Sequence, residues 1–552
     1  MRAADTFMIG THRPSAGSTA PVAAMGAKAH HLARMADLGL PVPPAFVLGT
    51  RHCADSRASS ELRPNIRNAL PKLLASVEGQ TQRSFGDARR PLLVAVRSGA
   101  PVSMPGMMQT LLNIGLSDRT LEGFLKLTGN PRLVWDAYRR LVAQFGEVVA
   151  GMSADAFECA PSAATCDPGG QALDFAALRA LTQQHLDTYR QVTGTAFPQD
   201  PQEQLERAIT AVFTSWRAPL ARSYRQSHGI PDEPGTAVIV QAMVFGNAGG
   251  RSGAGVGFTR DPTTGDPGPW VDFLPNAQGE DVVSGRRVAH GAQRLATTMP
   301  EVWTEIKAAA NTLERAFADM QDFEFTVEEG RLFMLQTRKG KRSALAALRL
   351  LLDLHDEGII DAKVACARAA SIDLGRLTVP RVVANDGGTL APIAQAASAN
   401  IGVAIGEIVL DEARARARVE AGAAVVLVRR DAETADLAAL ELARGLLTQR
   451  GARTSHAAVV ARQMDKVCLV GCAGLAVESD RLGVRIGEHR FVEGDVITLD
   501  GNTGNVYAGA ALTVFERPHA LLRRLAELPG WVATPPAAVL VDTANSAAGA
   551  GH

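Results

Sequence analysis

The chain has 552 residues, and its 57 Lys+Arg equal its 57 Asp+Glu. That length fits two to four domains, and the absence of a basic excess argues against a dedicated binder of nucleic acid or of an anionic membrane. Cysteines at 53, 159, 166, 366, 468 and 472 form no C-x-x-C pair, so neither a zinc site nor a dense disulfide framework is expected; with no apolar leader segment and no run of bilayer length, the expected location is the cytoplasm.

Residues 1–20, rich in Ser, Thr, Pro and Gly, read as a flexible N-terminus. Helical spacing begins in GAKAHHLARMADLGL, where Leu32, Met35 and Leu38 recur, and stops at PVPPAF. PLLVAVR at 91–97 reads as a buried strand, and 130–152 and 173–228 as mostly helical. TAVIVQAMVF is a β-branched strand, followed by the glycine-dense GNAGGRSGAGVGF. DFEFTVEEGRLFMLQTR predicts a hairpin turning at Glu328–Gly330. A three-residue turn pairs Val327 with Arg331 and puts Asp322, Glu324, Gln336 and Arg338 on one face. Phe323, Phe325, Val327, Phe333 and Leu335 fall on the other, with Leu332 and Met334 as misfits on the polar side. Residues 341–372 are Ala/Leu-rich and helical. From 381, the runs GVAIGEIVL, AAVVLVRR and DVITLDG alternate with helices; the helix HALLRRLAEL and the low-complexity TANSAAGAGH follow. The expected division is 1–20, 21–340, 341–380, 381–511 and 512–552, in a multidomain α/β and α+β chain.

Several residues have the chemistry to handle phosphate. Lys28 opens a helix just after Gly26, and Arg97 ends a strand before SGAPVSMPGMM. A cation beside glycine-lined backbone is what a triphosphate requires, although a lone Lys or Arg is usually a solvated charge. Gly246, Gly249, Gly250, Gly253, Gly255 and Gly257 let backbone approach a ligand closely, or simply make a flexible turn; no GK[ST] follows, so this is not a Walker A loop. Asp322 and Glu324 beside Gln336 and Arg338 suit magnesium, which takes one or two carboxylates plus substrate phosphates, and Glu280 and Asp281 can add to them. The same pattern also fits a solvated polar face. In GARTSHAAVVARQMDKVCLVGC, Thr454 and Ser455 are good N-cap residues and His456 starts the helix. Neutral imidazole is a nucleophile near pH 7, and a phosphoryl group on it would meet free N–H groups and the positive end of the helix dipole. A lone histidine is more often structural.

Taken together, GARTSHAAVVAR, VRSGAPVSMPGMMQTLLNIGL, VFGNAGGRSGAGVGFTRDPTTG, NAQGEDVVSG and MQDFEFTVEEGRLFMLQTRKGKR resemble the pyruvate, phosphate dikinase branch of the phosphoenolpyruvate-utilising enzymes, over residues 24–510. The resemblance implies an ATP-grasp-type nucleotide-binding domain followed by a swivelling β/β/α phosphohistidine domain. It implies that Lys28 and Arg97 hold phosphates, and that Asp281, Asp322, Glu324, Gln336 and Arg338 form a magnesium and nucleotide site. His456 would take the β-phosphoryl of ATP, leaving AMP, while inorganic phosphate takes the γ-phosphoryl to give pyrophosphate. Thr454 occupies a position that a regulatory kinase modifies in some dikinases. Ala27 and Ala29 stand where the family usually has glycine, and Arg453 where dikinases usually have methionine.

A full dikinase continues into a TIM barrel that binds pyruvate and phosphoenolpyruvate, and no eight-fold βα pattern follows residue 511. The expectation is therefore a histidine autokinase that passes its phosphoryl group to pyruvate at a barrel on another chain, with homodimers a common state of the family. Two alternatives stay open: an autokinase with a different acceptor, such as a carrier protein, and a silent ATP-sensing module. His456 together with the acidic residues speaks against the last.

Overall fold

The computed structural model describes residues 5–10, 20–55, 61–102, 104, 110–157, 173–232, 234–283, 290–375, 377–383, 390–431, 436–451, 453, 456–477 and 483–532. Its first half is built on two antiparallel sheets. One runs in the spatial order Thr6–Ile9, Ala45–Leu48, Ala237–Ala242, Val94–Gly99 and Thr110–Ile114. The segment expected to be unstructured thus contains an edge strand, with Thr6 opposite Leu48 and Ile9 opposite Ala45. Four residues of strand-forming sequence, TFMI, suffice when a preformed apolar neighbour accepts them.

Helices cover this sheet because their sequences start and stop cleanly. Asn130 and Asp174 accept from backbone N–H groups in the first turns of Pro131–Val148 and Phe175–Thr193, and Gly194 ends the second in a left-handed conformation. Their apolar stripes, including Leu133, Leu141, Phe145 and Tyr189, join Phe46, Val96 and Val240 of the sheet in one core.

The second sheet runs His290–Gly291, Pro267–Pro275, Gly253–Arg260, Gln321–Glu328 and Arg331–Lys339. One helix, Ala27–Asp37, ties the two sheets together. Ala27 N–H donates to Ala100 O at the end of the Val94–Gly99 strand, and His31 Nδ1 lies 2.8 Å from Thr337 O on the Arg331–Lys339 strand. Leu32 and Met35 are buried, as their spacing predicts.

A hairpin of helices, Ala344–Asp356 and Ala362–Ala369, leads away from these sheets. The segments entering and leaving the next domain, Val379–Val383 and Leu512–Glu516, pair antiparallel, and His519–Ala526, the last helix among the described residues, packs Leu521 and Leu525 into the same cluster as Leu348 and Leu352. The domain between them holds an eight-stranded mixed sheet whose centre, Val403–Val409, Val425–Arg429, Gly445–Thr448 and Val467–Val470, is parallel. A three-stranded sheet, Leu475–Val477, Gly483–Ile486 and His489–Val492, shares its core. Among the described residues, no helix is long and apolar enough to cross a membrane.

Candidate active site

The polar face of the second sheet forms through a register different from the one alternation suggests. The hairpin turns on two residues, Glu329 and Gly330, both with positive φ, so Glu328 rather than Val327 faces Arg331. A bulge between Glu324 and Phe325 then shifts the pairing by one, and Asp322 faces Arg338 while Glu324 faces Gln336. The four polar residues therefore do share a face. Beyond the bulge, Leu332 and Met334 are buried with Phe325 and Val327, whereas Phe333 and Leu335 are half-buried. The apparent misfits of the sequence pattern are core residues.

The glycine run also has a different role. Gly253, Gly255 and Gly257 lie in a strand, and a Cβ on each would fall 2.1, 2.3 and 2.8 Å from the rings of Phe273, Phe325 and Phe323. Their missing side chains make room for aromatics of the neighbouring strands. Only Gly249 and Gly250, in the preceding turn, have open space.

Lys28 and Arg97 meet across the two sheets. Gly26, with φ of +77°, approaches the Arg97 strand so closely that a Cβ there would lie 1.8 Å from Gly99 O. This close contact starts the Lys28 helix beside Arg97. Burial, then the Arg97 charge, push the Lys28 ammonium down to about 8, with Arg338 adding to the effect and Glu324 opposing it. Arg97 Nη2 is 3.8 Å from Glu324 Oε2, its Nη1 is 3.4 Å from Gln241 Oε1, and its Nε is buried without a hydrogen-bond partner among the described residues. Arg338 Nε donates to Asp322 Oδ2 at 2.8 Å. Burial raises the Asp322 carboxyl, and Arg338 pulls it back. Three cations thus converge with two carboxylates, an arrangement that fits a polyphosphate carrying magnesium: the carboxylates lie two residues apart on one strand face, and the cations supply donors for phosphate oxygens.

Asp281 belongs to another network. Arg140 Nη2 donates to its Oδ1 at 2.8 Å and Gln278 N–H to its Oδ2 at 3.0 Å. Arg140 also binds Asp136 at 2.9 Å and lies 3.6 Å from Glu280, which accepts from Gln144 at 2.6 Å. Both Asp281 oxygens are thus already engaged, Oδ1 by Arg140 and Oδ2 by Gln278 N–H, so a metal there would share the carboxylate with these donors. Sequence reasoning does not pick out Arg140, because Asp136 four residues before it makes the pair look like an ordinary helix-surface contact.

His456 is the first residue of the helix His456–Gln463. Its side chain, and Thr454 and Ser455, lie outside the described residues. The helix docks on the second sheet through residues that sequence reasoning does not assign to a site. Arg462 Nη2 donates to Ala399 O at 2.7 Å, and its guanidinium carbon lies 5.4 Å from the Phe258 ring centre. Its helix thereby comes beside Asp322, the direct cross-strand partner of Phe258.

Cations and carboxylates gathered at one cleft, with a second domain whose helix starts at His456, are the groups that the class of ATP-dependent histidine phosphotransferases would require. Two family models match: "Pyruvate phosphate dikinase, AMP/ATP-binding domain" over residues 69–300 and "PEP-utilising enzyme, mobile domain" over residues 422–504. Pyruvate, phosphate dikinase of Clostridium symbiosum is 42% identical over 492 residues, which is 88% of this chain and 56% of that protein. The Rhizobium meliloti enzyme is 41% identical over 503 residues, with the same coverage, and the chloroplastic enzyme of Flaveria pringlei 39% over 511, covering 92% of this chain and 53% of that protein. The chain is a homologue of the pyruvate, phosphate dikinases over the nucleotide-binding and mobile domains. It spans little more than half the length of these relatives.

Proposed function

We propose that the chain phosphorylates its own His456 with magnesium and ATP, forming AMP, and that inorganic phosphate accepts the γ-phosphoryl group to form pyrophosphate. The imidazole nitrogen bonds to the β-phosphorus as the bond to the α–β bridging oxygen breaks, and AMP leaves. A phosphate oxygen then bonds to the γ-phosphorus, and the β–γ bridging oxygen stays on the histidine-bound phosphoryl. Lys28, Arg97 and Arg338 hold the phosphates, Gln336 helps orient the nucleotide, and Asp322 and Glu324 hold magnesium, which when bound neutralises phosphate charge during in-line transfer. Asp281 is a third candidate carboxylate, held by Arg140 in this arrangement. Pyruvate is the onward acceptor, as the relatives' name suggests, at a site outside these two domains.

The observation that carries this reading is geometric. The guanidinium carbon of Arg462, six residues after His456 on the same helix, stands 5.4 Å from the Phe258 ring centre, and Phe258 is the direct cross-strand partner of Asp322, which supports a docked arrangement of the His456 helix beside the candidate nucleotide cleft. The test follows the products of ATP in single turnover. AMP, with pyrophosphate only when phosphate is added, is the expected result; ADP and free phosphate as the only products would contradict it.

A further inference from the structure

Arg453 lies in the loop just before the His456 helix, and its guanidinium reaches out of its own domain. Nη2 and Nε lie 3.0 and 3.2 Å from Asp272 Oδ1, and Nη2 is 3.3 Å from Val271 O. The guanidinium carbon sits 3.9 Å from the centre of the Trp270 ring. Trp270, Val271 and Asp272 belong to the strand Pro267–Pro275 of the nucleotide-binding domain. The Asp272 side chain is only 4% exposed, so the pair is little screened by salt. A guanidinium held by a carboxylate edge-on and by an indole face-on is fixed in both position and plane. Arg462 supports it from behind. Its Nη2 lies 3.4 Å from Arg453 O, and its guanidinium carbon lies 5.7 Å from the same Trp270 ring. The loop that carries Arg453 and the helix that starts at His456 are therefore braced against one another and against the same indole.

We propose that Arg453 is a docking anchor: a positioning residue that, through Asp272 and Trp270, holds the mobile domain on the nucleotide-binding domain and so sets the fraction of molecules in which the His456 helix faces the nucleotide. The kinetic consequence rests on His456 being the phosphoryl acceptor; the docking does not. Removing the guanidinium takes away both the charge that meets the buried Asp272 carboxylate and the plane that lies over Trp270, which weakens the docked arrangement and leaves the undocked one untouched. Arg453 touches neither of the metal-type carboxylates, so its removal leaves nucleotide binding in place and changes only how often the two domains meet.

The experiment measures the distance between spin labels on two exposed residues, introduced as Lys307→Cys in the nucleotide-binding domain and Glu420→Cys in the mobile domain. The chain with native Arg453 is expected to give one narrow distribution. Arg453→Met is expected to add a longer, broader component, and Asp272→Asn, which breaks the pair from the other side, to do the same. Arg453→Lys keeps the charge without the flat stacking plane and should fall between. In parallel, the Kd for ATP should stay within about twofold while phosphorylation of His456 at saturating ATP slows about tenfold, the population change expected when a docked majority becomes a minority. An unchanged distance distribution in both Arg453→Met and Asp272→Asn would overturn the anchor. A changed distribution in a protein that never phosphorylates His456 would uphold the anchor and reject the proposed function.

Discussion

Arg338 Nε lies 2.8 Å from Asp322 Oδ2, and the two residues are direct partners across the hairpin ladder. Burial raises the Asp322 carboxyl, and the Arg338 contact opposes that rise by favouring the charged form a cation would meet. Glu324, on the same face, is held near Arg97. Replacing Asp322 with Asn or Glu324 with Gln should lower magnesium-dependent ATP turnover by on the order of a hundredfold, the scale of losing one preorganised electrostatic group. Initial rates across a magnesium titration check this; an unchanged magnesium dependence in both variants would remove these residues from the metal site.

Lys28 gives ATP binding a pH signature. With its ammonium pushed down to about 8 in the free protein, Lys28 is charged below that pH and neutral above it. A bound triphosphate favours the charged form, so binding above pH 8 must take up a proton. The affinity should be flat below pH 8 and weaken by up to about tenfold per pH unit above it. Calorimetry in buffers of different ionisation heat would register the uptake, and Lys28→Arg, charged throughout, should abolish it.

His185 predicts how stability responds to acid. It is 3% exposed, and burial, then the Arg139 charge, push its imidazole down to about 4 from 6.5. Between those values the unfolded chain binds the proton and the folded chain does not. Stability is therefore lost as pH falls through this window, by at most about 1.4 kcal/mol per unit from this group. Denaturant unfolding at pH 6.5 and 4.5 should show the loss, and His185→Gln should reduce the slope.

Gly255 should tolerate no side chain. Its alanine Cβ would lie 2.3 Å from the Phe325 ring, so Gly255→Ala should destabilise by about 1–3 kcal/mol or more. Gly250→Ala, with nothing within 4 Å, should leave the melting temperature almost unchanged. Equal effects of the two would contradict the packing role of the strand glycines.

Much of the site is legible in the sequence where the signal is local. Alternation puts Asp322, Glu324, Gln336 and Arg338 on one face, and they are together there. Two local errors cancel: the turn is one residue tighter than expected, and the bulge restores the parity. A bulge adds one residue without a compositional mark, so periodicity alone cannot detect it. The glycine run is ambiguous for a related reason. The rings that require Gly253, Gly255 and Gly257 come from Phe273 on the next strand and from Phe325 and Phe323 on a strand distant in sequence. Arg140 and Asp281 meet across 141 residues, and Arg453 and Asp272 across 181, so only the fold reveals either pair.

The most direct test is to incubate the purified chain with magnesium and β-labelled ATP and look for acid-labile, base-stable label, alongside a His456→Ala variant whose ATP binding is measured separately. The account predicts label on the native chain at His456, and none on His456→Ala although that variant still binds ATP. Label retained by His456→Ala, or no label on a native chain that binds ATP, would contradict it.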